Sequence, residues 1–239
     1  MLHLDFNSYT TDKSFIEVRF KDSFKLPLTD TRYKILDKMS KKYSQHHSEN
    51  PELLSFLDQS RQQQLHIQLN RIVIDWDKPN SLGEFIKSAV SDLTFVLKLM
   101  EVNEIIRIGF RTLHSFQSNS QEAIDQFIFK EYLTSKFKSQ QFADHYFNPR
   151  VQFSGKKGAS LFNLAMYYQQ EQTIESSFDP RMPIINKDVR DLLTVDLDGF
   201  RENFKVQKLQ TVLNDLKELN DKLPDYIKSL RNDKYELSK

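Results

Sequence analysis

The chain contains no cysteine. Disulfide frameworks, thiolate zinc sites and cysteine nucleophiles are excluded together. A reducing compartment suits such a chain, and nothing in it calls for an oxidising one. Glycine is also scarce, with five in 239 residues, at positions 83, 109, 155, 158 and 199. Phosphate-cradling loops need clustered glycines, because only glycine lets the backbone close around a pyrophosphate. Neither GxGxxG nor GxxxxGK[ST] occurs, so a standard Rossmann or P-loop nucleotide enzyme is not expected. No stretch approaches the roughly 18 apolar residues of a membrane span. The opening "MLHLDFNSYTTDK" lacks a basic start followed by an apolar run, and no secretory signal is expected. The expectation is a soluble, cytoplasmic protein with no membrane partner and no cofactor. Neither charge sign dominates, with 34 Lys+Arg against 33 Asp+Glu. That argues against a globally basic nucleic-acid binder and leaves a local basic patch open.

Large apolar groups are plentiful. Nineteen Phe, nine Tyr and one Trp make a sizeable core feasible. The length suits one large domain or two small, intimately packed ones. "FIEVRF" alternates Ile16, Val18 and Phe20 against Glu17 and Arg19, the pattern of a half-buried strand. "LTDTRYKILDKMSKKY" carries apolar residues near helical spacing, with Thr29 or Asp30 placed to cap its start. "ENPELLSFLDQ" reads as a short helix with Pro51 in its first turn. In "QLHIQLNRIVIDW" the apolar parity shifts from Leu65, Ile67 and Leu69 to Ile72, Ile74 and Trp76. This predicts a bulge near Asn70–Arg71, or a strand covered on both faces.

Ser81 and Glu84 form an S-x-x-E capping box ahead of a broad apolar stripe running to Met100. "EIIRIGFRTL" is a second clear strand, with Ile106, Ile108 and Phe110 on one side. "EAIDQFIFKEYLTSKF" is helical by Ile124, Phe127, Ile128, Leu133 and Phe137. Gly155-Lys-Lys-Gly158 joins two strands, "LLTVDLDGF" suggests another, and a long helical segment starts near Phe204. No 20–50-residue repeat stands out. The fold class is α+β: a largely antiparallel sheet with packed amphipathic helices and a long C-terminal helical segment. Residues 1–239 read as one unit, with a weak subdivision near Gln117 to Ser120 into 1–117 and 118–239.

The order of "IEVRF", "QLNRIVIDWDKP" before a helix, "IIRIGFR", and "VDLDGF" before a terminal helix resembles a sporadically distributed prokaryotic protein family. That family is of about this length and functionally uncharacterised. Here "RIGFRTLHSF" stands where the family pattern has a tyrosine and an asparagine. The resemblance covers nearly the whole chain, implies no enzyme activity and transfers no catalytic residue.

Arg107, Gly109 and Arg111 share one strand face, and Gly109 leaves a gap between two guanidiniums. Such a notch suits a phosphate or carboxylate held by forked hydrogen bonds, with Arg71 joining from a neighbouring strand. The alternative is cross-strand pairing with acids such as Glu17 on a wet face. Asp75 with Asp77, and Asp196 with Asp198, are D-x-D pairs able to share a divalent cation, or else strand-end aspartates entering turns. His46 and His47 are adjacent on a helix end or loop and are poorly placed to grip one metal. His66 and His145 lack any nucleophile motif beside them. Lys156 and Lys157 at a hairpin tip can meet nucleic-acid phosphates or only keep the tip soluble. Leu209, Val212, Leu216, Leu219, Leu223, Tyr226 and Leu230 form a heptad-like seam. Pro224 interrupts it, predicting one helix to about Asp221 and another from Pro224, docked on the protein's own sheet or on a partner.

The functional expectation is a non-enzymatic binding or adaptor protein. It would use a sheet face and the C-terminal helices for a protein partner or self-association. The alternative is a nucleic-acid-binding or phosphodiester-acting protein using Arg107, Arg111 and Lys156. A metal-dependent hydrolase at Asp196 and Asp198 is a third reading.

Overall fold

A computed structural model describes residues 3–132, 148–175 and 186–232. Nine strands are described: β1 (Leu4–Arg19), β2 (Gln45–His47), β3 (Leu53–Asp58), β4 (Gln63–Gln68), β5 (Arg71–Asp77), β6 (Glu104–Ser118), β7 (Val151–Lys157), β8 (Ser160–Glu175) and β9 (Asn186–Lys205). They form one antiparallel sheet in the order β2-β3-β4-β5-β1-β6-β9-β8-β7. The helices are α1 (Thr29–Met39), α2 (Leu82–Leu99), α3 (Gln121–Tyr132) and α4 (Leu209–Asn232). The α+β class and the long C-terminal helix stand as expected. No helix among the described residues is long and apolar enough to cross a membrane.

Alternation along the strands decides the layering. Ile16 and Val18 of β1, Ile72, Ile74 and Trp76 of β5, and Ile108 and Phe110 of β6 pack with α1, α2 and the first half of α4. Phe116 of β6, Met166 of β8 and Val195 of β9 pack with α3 and the far end of α4. Successive strand residues point to opposite faces, so the helices that cover these cores lie on one face. Phe15, Val73, Leu113, Tyr167 and Phe200 belong to neither core and lie on the other face.

The ladder registers contain an internal two-fold. The order of elements in the first half, β1-α1-β3-β4-β5-α2, recurs in the second as β6-α3-β7-β8-β9-α4, with β2 added in the first. Lys13 pairs with Asp77 as Arg111 pairs with Asp198. Across β1 and β6, Lys13 faces Leu113 and Phe15 faces Arg111, so exchanging the strands maps these central pairs onto themselves about Ser14–Thr112, while register shifts between Asp5 and Lys13 break the correspondence further out. "IVIDWD" in β5 and "LTVDLD" in β9 are equivalent, which places both D-x-D pairs at matched positions. In this order the first set of elements ends with α2 at Leu99 and the second begins with β6 at Glu104, and one sheet runs through both.

Several local expectations change. The parity slip at Asn70–Arg71 is neither a bulge nor a doubly covered strand. It is the turn of a hairpin, with Ile67 paired to Ile72 across it. Residues after Pro51 form strand β3, not a helix: Leu54, Phe56 and Asp58 are buried in strict alternation. His46 and His47 lie on the exposed edge strand β2. Neither Thr29 nor Asp30 caps α1, whose N-cap is Leu28 without a side-chain bond. Ile106 is exposed, and Ile105 is buried in its place. Ser81 does cap α2, its Oγ accepting from the amides of Gly83 and Glu84 at 3.1 and 3.4 Å. Helix α4 runs on through Pro224. A proline inside a helix costs about 3 kcal/mol, but buried Leu216, Leu223 and Ile227 anchor α4 on both sides of it. Leu133 and Phe137 lie outside the described residues.

Arg32 of α1 shapes the turn into β3. Its guanidinium donates to the carbonyls of Ser48, Asn50 and Pro51 at 2.7, 2.9 and 2.7 Å. Hydrogen bonds from a charged donor are among the stronger ones, so Arg32→Ala is expected to cost about 2 kcal/mol. A urea denaturation midpoint measures the loss, and hydrogen exchange should localise it to the 48–53 turn.

Candidate functional site

The face that no helix among the described residues covers is built from four cross-strand rows on β5, β1, β6 and β9. The first is Arg71, Arg19, Arg107 and Glu202. The second is Val73, Glu17, Gly109 and Phe200. The third is Asp75, Phe15, Arg111 and Asp198, and the fourth is Asp77, Lys13, Leu113 and Asp196. The face is therefore dipolar. Three arginines with Glu202 stand at one end, four aspartates with Lys13 and Arg111 at the other, and Val73, Phe200 and Glu17 lie between.

The acidic end is tied down internally. Arg111 forks onto Asp196, with Nε–Oδ1 at 2.8 Å and Nη2–Oδ2 at 2.7 Å. This pairing raises the guanidinium's affinity for its proton. Lys13 sits 2.9 Å from Asp77 and 3.9 Å from Asp75. Burial raises Asp75 and Asp198 above the usual carboxylate range, against the pull of Lys13 on the first and of Arg107 and Arg111 on the second. Aromatic rings brace these cations. Arg107 lies 4.6 Å from the Phe200 ring centre, Arg111 5.9 Å and Lys13 5.1 Å from Phe15.

The Gly109 notch is filled by the protein itself. Arg107 leans across the glycine to Asp198 at 3.2 Å. A Cβ at Gly109 would lie 3.2 Å from the Arg107 Nη1, so any larger residue there would push the guanidinium aside by a few tenths of an ångström. Arg71 does share the face, but β1 separates it from β6, and Arg19 fills the interval. Sequence reading passed over Arg19 as an ordinary polar position. Its role needs the strand order, which no local pattern encodes. Lys156 also faces this side, in the row of Phe200 and Leu161, three strands from β6 and about 14 Å away.

The other candidates scatter. Among the described residues no three His, Asp or Glu side chains group to hold a metal ion. His66 bonds Ser55 at 3.0 Å and Gln64 at 3.2 Å, and His145 lies outside the described residues. Within the heptad seam, Leu209, Val212, Leu216 and Leu223 are buried against the protein's own sheet, with Leu219 packed alongside. Tyr226 is 47% exposed, and only the backbone of Leu230 is described.

Sequence reading also missed a polar chain between the two cores, on the helix side beside the two-fold. Tyr9 Oη lies 2.7 Å from His114 Nδ1, and His114 Nε2 lies 2.8 Å from Thr112 Oγ1. Thr112 donates to Asn220 of α4, whose amide donates to the Leu216 carbonyl at 3.1 Å. A neutral imidazole carrying its proton on Nε2 satisfies every link. Burial lowers the His114 pKa to about 4 and pushes Tyr9 up to about 12. Thr112, His114 and Asn220 are fully buried and Tyr9 is half-buried at the outer end, and the chain ties α4 to the sheet.

No known family model matches the chain, and no curated protein does.

Proposed function

We propose that this is a non-enzymatic recognition protein that binds a protein partner through the sheet face opposite the described helices. The observation carrying the reading is the dipolar face itself. Its arginines and aromatic rings are the residue types that dominate binding energy at protein interfaces. The forked Arg111–Asp196 pair and the Arg107–Phe200 stack hold those groups in place before any partner arrives, which lowers the ordering cost of association. The four rows span three strand spacings, about 14 Å, and the whole sheet is about 38 Å wide, room for a standard interface. The many carboxylates on the face count against a continuous polyanion such as nucleic acid. The apolar seam of α4 is spent on its own sheet, so the reading rests on the sheet face alone. It keeps the cytoplasmic setting expected from the sequence.

The test is affinity capture from a host extract with the wild-type chain and with Phe15→Ser/Arg111→Glu, followed by mass spectrometry. Both substitutions lie outside the two cores, and the fold is checked by circular dichroism. A protein retained by the wild type and lost by the variant is expected. Retention of the same proteins by both would overturn the reading, as would recovery of nucleic acid as the face-dependent species.

A further inference from the structure

Arg71, Arg19 and Arg107 stand directly opposite one another on three adjacent strands. Like charges facing each other across a ladder are destabilising, and the two pairs share one central residue. Internal acids answer this repulsion only in part. Arg107 has Asp198 at 3.2 Å, and Arg19 has Glu17 beside it. Arg71 holds only the neutral Gln68 amide oxygen, at 3.1 Å, and makes no ion pair among the described residues. Arg19 remains 53% exposed at its side chain despite Glu17. The positive end is therefore concentrated on Arg71 and Arg19, whose guanidinium stems rise from strands about 4.8 Å apart.

We infer that this row is a carboxylate-binding site, where Arg71 and Arg19 jointly take an acidic side chain of the partner. The inference rests on the protein-recognition reading above and names the chemistry of one contact within it. Planar guanidiniums match a carboxylate with forked, charge-assisted hydrogen bonds. One carboxylate bridging the two would satisfy free N–H donors on both and relieve their mutual repulsion. Charge complementarity selects the occupant. Glu17, Asp198 and Glu202 border the row, and Asp75, Asp77 and Asp196 lie beyond it along the strands. A nucleic-acid backbone carrying a charge at every step would run into these carboxylates. A polypeptide with an acidic residue at the row and basic or neutral residues beyond it would not.

The row's cost in the free protein gives the test a signature. Arg71→Gln shortens the side chain but keeps a polar amide, removes the charge and eases the repulsion on Arg19. The full-length variant is expected to melt at the same temperature as the wild type or higher. Fluorescence anisotropy at low salt then compares a labelled oligoglutamate peptide with a labelled single-stranded oligonucleotide. The wild type is expected to bind the peptide in preference, and Arg71→Gln to weaken that binding about tenfold, the loss of one charged hydrogen bond. Equal peptide binding by wild type and variant would overturn the assignment, as would absence of peptide binding or tighter, Arg71-dependent binding of the oligonucleotide. A lower melting temperature in Arg71→Gln would give the row a structural role instead. If a captured partner is lost with Phe15→Ser/Arg111→Glu but kept with Arg71→Gln, the face reading stands and the carboxylate site falls.

Discussion

Leu216→Asp is expected to unfold the protein or leave it barely folded. Leu216 is fully buried in the first core, and its Cδ2 lies 3.3 Å from where a Cβ on Gly199 would sit. Truncating a buried leucine costs about 2–5 kcal/mol, and an unpaired carboxylate in its place adds a desolvation penalty of similar order. The loss rivals the total stability of a typical domain, about 5–15 kcal/mol. The same charge at exposed Gln210, on the same helix, should stay within about 0.5 kcal/mol. Urea titration of both variants measures the contrast. A Leu216→Asp chain that stayed fully stable and changed only its oligomeric state would return the α4 seam to the role of an intermolecular interface.

Acidification should weaken the fold through His114. Its imidazole falls from an ordinary 6.5 to about 4 on burial. The unfolded chain therefore takes up a proton from about pH 6.5 downward, and the native chain does not until near pH 4. Stability from this group is whole above that window and is lost as pH falls through it, at about 1.4 kcal/mol per pH unit, roughly 3 kcal/mol in all. Asp12, Asp75, Asp125 and Asp198 oppose the trend. Burial raises all four, so the native state binds their protons first and gains stability as pH falls. Comparison with His114→Gln isolates the imidazole. The variant should be less stable at pH 7, and the gap should close between pH 7 and 4. A gap independent of pH would mean that His114 titrates normally in the folded chain.

Much of the architecture was legible because burial writes a period into the chain. The Ile16–Val18–Phe20 and Ile72–Ile74–Trp76 alternations and the capped stripe after Ser81 each encode a local element and the face it hides. Errors arose where two periods fit equally well. The leucines of "PELLSFLD" satisfy a helical spacing, and only pairing with β4 selects the strand. A hairpin turn and a bulge both shift parity, and only the partner strand tells them apart. The site was half visible. The four face arginines and both D-x-D pairs could be placed on strands, but which cation meets which acid depends on strand order. Arg107 turning back over Gly109, and Arg19 standing between Arg71 and Arg107, follow from β1 lying between β5 and β6. The internal two-fold escaped notice because each half is about as long as a small domain and the two share little sequence beyond "IVIDWD" and "LTVDLD".

The ladder about Ser14–Thr112 has a consequence for ancestry. Replace β6 by a second β1 in the same register, and Ser14 meets Ser14 while Lys13 meets Phe15 reciprocally. A half-length chain ending after α2 would thus carry a self-complementary edge, and two of them would close one sheet as a symmetric dimer. In the present chain the two sides differ, with Lys13 on one where Arg111 stands on the other, and with register shifts between Asp5 and Lys13 that have no counterpart at the far end of the ladder.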